Sequence, residues 1–507
     1  MAKTYSLLIQ DFAPDLPDYN NDGSDIMLNV IPRTSKSYGP FPSMAVYSSA
    51  LTARCQGAIA ELDTAGNVFN FAGDATKLYR LGSGSATWGD VSRLVGGAYA
   101  TPAEGQWHFT FMNGRVIATN YIDDPQGFLI DTDTNFSRLS TGAPKARYCA
   151  VIKNFLMLAN TTDGTFGNQP QCAWWSALND PTNFPTLGTA AAAAVQSDSQ
   201  NLYGDGGWIQ GIVGNLGTAD GAIFMERAVW RVIYSGPPGI FYFLPAEGVR
   251  GTPAPGSIVQ LGALVYYLGE DGFYAFDGTT SVPIGLDRVD KYFFANVDQS
   301  NLFRINADVD PINKLVIWAV PFAGNTNGNP NVLMIYNWAL KKWSMAQVDT
   351  EMLLRSLTFG YTLDGLDATG YTLDTLPFSL DSRVWTGGKV TLAGFDTAHK
   401  LNYFNGASMA ATLQTSEGQP IPPRRVLISR ALPTVEGQGS SPSVAVITRD
   451  RLIDPQVAGA YVAINSLGYC PQRAAGRFVR YNIQMPAADP WIQMQGVDID
   501  VVPIGER

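Results

Sequence analysis

The stretch Asp18-Tyr19-Asn20-Asn21-Asp22-Gly23 opens like an EF-hand calcium loop. Such a loop needs oxygen ligands at positions 1, 3, 5, 7 and 9, a bidentate Glu at position 12, and a helix on each side. Counting from Asp18, position 9 is Ile26 and position 12 is Asn29. Pro14, Pro17 and Pro32 stand where the helices would run, and proline removes a backbone donor and restricts the residue before it. Asn, Asp and Gly tolerate left-handed backbone, so the run reads as a turn without a cation. A second carboxylate group, Glu270, Asp271 and Asp277 in GEDGFYAFDG, has the residue types of a glycosidase pair. Asp271-Gly272 and Asp277-Gly278 are turn dipeptides flanking Phe273–Phe276, so a hairpin accounts for them.

Other chemistry is sparse. No GxSxG elbow, HExxH helix or GxxxxGK[ST] loop occurs. The glycine-rich runs Gly204–Gly207 and Gly248–Gly251 do not lead into a helical pattern, which a phosphate cradle requires. The histidines, His108 and His399, each lack a second histidine at metal-binding spacing, and Cys55, Cys149, Cys172 and Cys470 form no CxxC pair. Buried free thiols are expected. Trp174, Trp175, Tyr266, Tyr267, Tyr292, Phe293 and Phe294 could form a sugar-stacking platform or an interface, although strand alternation makes about half of them core. No catalytic residue, cofactor or metal is assigned, and the chain is not expected to be an enzyme.

The elements that must position these residues are strands. The chain has 507 residues, 46% of them hydrophobic, enough for a large core. Its 51 glycines and 31 prolines separate short aromatic and β-branched segments, while helical periodicity is almost absent. Asn113-Gly114 is a strong hairpin signal within Phe109–Asp131. Strand groups recur through Asn67–Arg80, Tyr148–Asn160, Ala222–Tyr234, Ser257–Gly278, Asn306–Pro321 and Asn331–Met345, at about the 40-residue period of a propeller blade. The expected fold is all-β: a β-propeller with a further C-terminal β-rich region, the alternative being tandem β-sandwiches. The boundaries read as an extended arm over 1–50, blades over 51–350, an inserted segment over 351–390, and a C-terminal region or closing blade over 391–507. GYTLD occurs twice in the inserted segment, at Gly360–Asp364 and Gly370–Asp374. The start shows no secretory signal, and apolar runs such as Leu261–Leu268 fall short of the ~20 residues that span a bilayer, so no membrane anchor is expected. The net charge of -10 disfavours gripping nucleic acid through a basic patch.

In the N-terminal block, Pro14, Asp15, Pro17, Gly23, Asn29, Val30, Ile31, Pro32, Tyr38, Phe41 and Pro42 follow a recognisable order. This pattern resembles the opening of tail hub or nozzle proteins of short-tailed bacteriophages (podoviruses), also called packaged-DNA stabilisation proteins. The likeness continues in Ala222–Gly236, Ala254–Gly278 and Ile284–Phe294, and the ending Gly476–Arg507 is similar to the close of such proteins.

The resemblance implies a propeller-like fold in a homo-hexamer below the portal and adaptor rings, in the virion tail, assembled in the bacterial host cytoplasm. It further implies contact with tail adaptor or connector proteins, possible fibre or needle proteins, and double-stranded DNA passing without sequence-specific binding. Six chains of charge -10 carry about -60, which would repel phosphates and let DNA slide. Retention would then need a constriction, for which Tyr361, Leu363, Asp364, Tyr371, Leu373 and Asp374 are the candidate gate residues. On the same reading the arm, bent at Asp18–Gly23, would lie along a neighbouring subunit or tie off the first blade. The rival expectations are a propeller that binds a receptor or cleaves glycan during adsorption, and a scaffold for protein partners.

Overall fold

Asn113-Gly114 turns the chain between His108–Met112 and Arg115–Thr119 with both residues at positive φ, 52° and 74°. This primed turn matches the twist of the strands it joins. Lys153-Asn154 makes a turn of the same kind, at 48° and 63°, between Lys145–Ile152 and Phe155–Asp163, without an Asn-Gly signal in the sequence. Repetition of such hairpins builds the fold. The computed structural model describes residues 3–19, 23–63, 66–82, 86–357 and 390–505.

The chain is all-β, with seven four-stranded antiparallel units that form the blades of a propeller. Their first strands are Gly57–Leu62, His108–Met112, Lys145–Ile152, Ile209–Gly214, Val259–Leu261, Asn306–Asp310 and Met352–Leu357. Each of these edges a blade at the axis. The ring is closed by one apolar interface per pair of neighbours. Phe71, Val116 and Phe128 join blades one and two, Ile117 and Leu158 join two and three, and Met157 and Ile223 join three and four. Phe224 with Tyr267 joins four and five, Phe273 with Trp318 five and six, Ile317 with Leu353 six and seven, and Leu354 with Ala72 seven and one. A sheet that is apolar on both faces has to be covered on both, and the circular arrangement covers every blade.

The pairing differs from the sequence-based boundaries at both ends. Blade seven consists of Met352–Leu357, Val390–Phe395, Lys400–Ser408 and Pro42–Ala50, so it recruits strands from both sides of the propeller's expected 51–350 span. Pro42–Ala50 is its outer strand and leads directly into blade one, which fastens the ring with the two ends of the propeller sequence. The arm therefore ties off blade seven of its own chain, where the expectation was a neighbouring subunit or the first blade.

Beyond the ring lies a β-sandwich. One sheet continues blade six: its outer strand Lys342–Gln347 pairs with Met27–Leu28, followed by Ala411–Gln414, Phe478–Met485 and Ser443–Arg449. The facing sheet contains Cys470–Gly476, Arg425–Glu436, Gln493–Gly505, Ser37–Pro40 and Val30–Thr34, with Lys3–Leu8 also paired to Gln493–Gly505. Lys3–Leu8, Met27–Leu28, Val30–Thr34 and Ser37–Pro40 are thus part of a sandwich to which both ends of the chain contribute strands. A continuous core runs from blades five and six into it, through Trp318, Trp343, Tyr38, Tyr481 and Ile499. The Trp318 and Trp343 rings lie 5.8 Å apart, and their indole N–H groups donate to the carbonyls of Ser257 (3.0 Å) and Ile284 (2.9 Å). Those bonds allow both indoles to be fully buried without a lost donor. Among the described residues, no helix is long and apolar enough to cross a membrane.

Candidate functional site

Two features invite a functional reading: the axial channel and the arm. The channel is lined by the first strands of the blades, and it holds two successive cavities of about 610 and 170 Å³ that meet at Cys149, Ile212 and Val213. The smaller has room for about six waters at ~30 Å³ each. Duplex DNA, whose major groove alone is about 12 Å wide, cannot pass through such a space.

The wider part of the channel carries Glu61, Asp308 and Arg355, from blades one, six and seven. The backbone N–H of Arg355 donates to Asp308, and burial raises the Asp308 carboxyl above its usual range, opposed by the Arg355 charge. Burial likewise lifts Glu61 to about 7, with Arg355 pulling the other way. In the narrow part, burial beside Arg147 depresses His108 to about 4, and its ring meets Tyr148 edge-on at 4.7 Å. His108 is therefore neutral at physiological pH. The wall of this axial channel mixes both charge signs.

The N-terminal motif residues are held by partners from distant parts of the chain. Both Asp15 carboxylate oxygens accept backbone N–H groups at 2.8 Å, from Lys291 and Tyr292, at the start of the helix Asp290–Asn296. A carboxylate there satisfies otherwise orphaned helix donors. Pro14 and Pro17 bracket that contact. Gly23 starts a two-residue strand parallel to Asp11–Phe12. Asn29, at φ 59°, accepts from the Gln347 N–H (2.8 Å) and donates to the Ala410 carbonyl (2.7 Å). Pro32 lies in Val30–Thr34, Tyr38 donates to the Trp343 carbonyl (3.2 Å), and Phe41 packs on Phe404 before Pro42 begins the closing strand. Asp11 accepts from the Trp343 N–H (2.9 Å) and contacts Arg288.

The calcium-like run has a different use. Residues 20–22 are outside the described set. Asp18 lies against Arg449 (3.5 Å) and Arg480 (3.7 Å), and Asp25 binds Arg480 at 2.7 Å. Glu417 binds Arg449 through both carboxylate oxygens. Arg480, Arg449 and Glu417 are almost wholly buried, so the arm's acidic residues help neutralise cations inside the sandwich. Sequence reading missed this network because arginines more than four hundred positions away carry no local signature. Among the described residues no cluster of three His, Cys, Asp or Glu could hold a metal ion.

The other sequence candidates fall into structural places. Asp271 accepts from the Tyr274 hydroxyl (2.9 Å), and Asp277 accepts the N–H groups of Thr279 and Thr280 (2.8 Å each), as turn residues do. Trp174, Trp175, Tyr266, Tyr267 and Phe293 are buried, so the aromatic series forms core and no continuous exposed platform. The candidate gate residues Tyr361, Leu363, Asp364, Tyr371, Leu373 and Asp374 lie outside the described residues.

No protein-family model matches the chain. No curated protein matches it either. Among solved structures, it is similar to an extracellular domain described as that of a hybrid two-component system of B. thetaiotaomicron, at 8% identity and a TM-score of 0.41, covering 84% of this chain and 45% of that one. The chain thus spans a little under half the length of that structure. It is also similar to the WD40 domain of Neurospora crassa Pan2 (7% identity, TM-score 0.38, 73% of this chain and 95% of that one). A functionally unknown protein from Desulfotomaculum acetoxidans is another (12%, 0.34, 63% and 97%). Likeness at these scores adds nothing to the assignment, which rests on the strand pairing and the seven inter-blade interfaces.

Proposed function

We propose that this chain is a structural subunit of the tail of a short-tailed bacteriophage, a hub or nozzle protein whose copies ring a DNA passage and help retain packaged DNA until ejection. The observation that carries this reading is the packing of the resemblance segments on one another. Asp15 of the N-terminal block caps the helix Asp290–Asn296, which begins in Ile284–Phe294, and Asp11, Asn29 and Tyr38 hold the outer strand of blade six. The C-terminal segment supplies Arg480 to Asp25 and Asp18 of the same block. Segments matched separately along the sequence thus pack into one structural unit.

On this reading the passage lies between copies, since the axial cavity of one chain is small, and the net charge of -10 per chain would keep DNA mobile there. Each propeller then acts as a rigid block, and adaptor proteins above the ring and fibres or a needle beside or below it are the partners. Sedimentation velocity of the purified chain, alone and with the head-to-tail connector of its virion, tests the reading. A hexamer-sized species is expected, and a monomer under both conditions would overturn it.

A further inference from the structure

A cavity of about 610 Å³ opens where blades six, seven and one meet, and shares no lining residue with the axial channel. Arg54, Arg304, Asn329, Thr397, Glu351 and His399 line it. Arg54 precedes the first strand of blade one, Arg304 ends the short helical turn Gln299–Arg304 before blade six, and His399 sits in the hairpin between two strands of blade seven. Three elements remote in sequence therefore deliver two guanidiniums and an imidazole to one opening.

The two guanidiniums are under-compensated. Arg54 donates to the Ala103 carbonyl (2.7 Å) and Arg304 to the Asn329 side-chain oxygen (2.6 Å), both neutral acceptors. Among the described residues neither arginine forms an ion pair with a carboxylate, the Glu351 charge acts on both from beyond that distance, and the Arg304 Nε is buried without an acceptor. Burial and then the Arg304 charge lower the Arg54 pKa, as expected of two cations facing one space. The carboxylate within the cavity is already engaged: Glu351 Oε1 meets His399 Nδ1 at 2.7 Å and its Oε2 accepts the Cys55 N–H at 3.0 Å. This orients the imidazole, and among the described residues Nε2 has no hydrogen-bond partner. Asp349 is exposed, and Glu351 is the other acid of the lining.

Guanidinium groups recognise tetrahedral oxyanions through paired N–H donors. We propose that this cavity binds a phosphate group, either free phosphate or a phosphate monoester, between Arg54 and Arg304 with His399 alongside. Asn329 and Thr397 are placed to receive the remaining oxygens or an attached hydroxyl. The site does not depend on the assembly proposed above, because every residue comes from one chain.

The test is isothermal titration calorimetry of the full chain in a phosphate-free buffer, with inorganic phosphate in one arm and glucose 6-phosphate in the other. Saturable one-to-one binding is expected in at least one arm. The tighter ligand tells free anion from ester. Arg54→Gln and Arg304→Gln should each weaken binding at least about tenfold, the loss expected for a charge-assisted contact, while Arg138→Gln, in a separate cavity between blades two and three, leaves it unchanged. A variant-free measurement accompanies these: phosphate should raise the Tm of the native chain above the value in chloride of equal ionic strength. No binding heat in either arm, no Tm difference from chloride, or unchanged affinity in a folded Arg54→Gln/Arg304→Gln double variant would each overturn the proposal.

Discussion

Glu417→Gln isolates a buried cation, and the structure sets the size of the effect. Arg449 and Glu417 have side-chain exposures of 8% and 1% and meet through two parallel contacts. Breaking a buried pair by removing one partner costs about 3–5 kcal/mol, because the remaining charge keeps its desolvation penalty. Asp18, at 3.5 Å from Arg449, retains part of the compensation, which places the loss near the lower end, about 3 kcal/mol. With a urea m-value of about 3 kcal/mol/M, the transition that includes the sandwich should move down by about 1 M. The double replacement Arg449→Met/Glu417→Leu removes both charges and should cost much less, about 0–1 kcal/mol. Urea titration followed by circular dichroism and tryptophan fluorescence reads both, since a two-module chain is not assumed to unfold in one step. A single variant within about 0.2 M of wild type, or a double variant as destabilised as the single, would refute the reasoning.

Glu61 gives the pH dependence. Its folded-state pKa of about 7 exceeds that of an unfolded chain, so its favourable contribution is complete below the unfolded value and is lost as pH rises to about 7. Glu61→Gln should therefore raise Tm relative to wild type at pH 8 and leave it unchanged at pH 4; equal effects at both pH values would contradict the burial of this carboxyl. The thiols of Cys55, Cys149, Cys172 and Cys470 are all buried and all pushed up in pKa by that burial, Cys149 to about 12 and Cys172 and Cys470 to about 11. None should react with a thiol reagent in the native protein at pH 8, and all four should react in denaturant. Rapid labelling of any of them in the native state would contradict the described packing.

The propeller was legible because its signals are local. Asn113-Gly114, Asp271-Gly272 and Asp277-Gly278 specify turns by backbone chemistry, and buried runs such as Leu315–Val320 have a strand's length and β-branched content. Closure was not legible. Pro42–Ala50 reads as part of a proline-rich arm, and nothing within it specifies pairing with Lys400–Ser408, some 350 residues later. The same holds for Asp18 and its arginines, and for His399, whose partner Glu351 lies in another strand connection. The lack of a second histidine at metal-binding spacing left His399 without a role in the sequence, whereas Glu351 gives it an oriented imidazole. The aromatic series shows the opposite failure: Trp174 and Trp175 are conspicuous in sequence, yet both are buried.

The central claim, that copies of this propeller surround a passage that none of them contains, is tested most directly by electron microscopy of particles carrying the labelled chain. The expected image is a ring of propeller-shaped densities around a duplex-wide lumen, with each propeller's own axis too narrow for DNA. Isolated propellers, or DNA density along the axis of a single propeller, would contradict it.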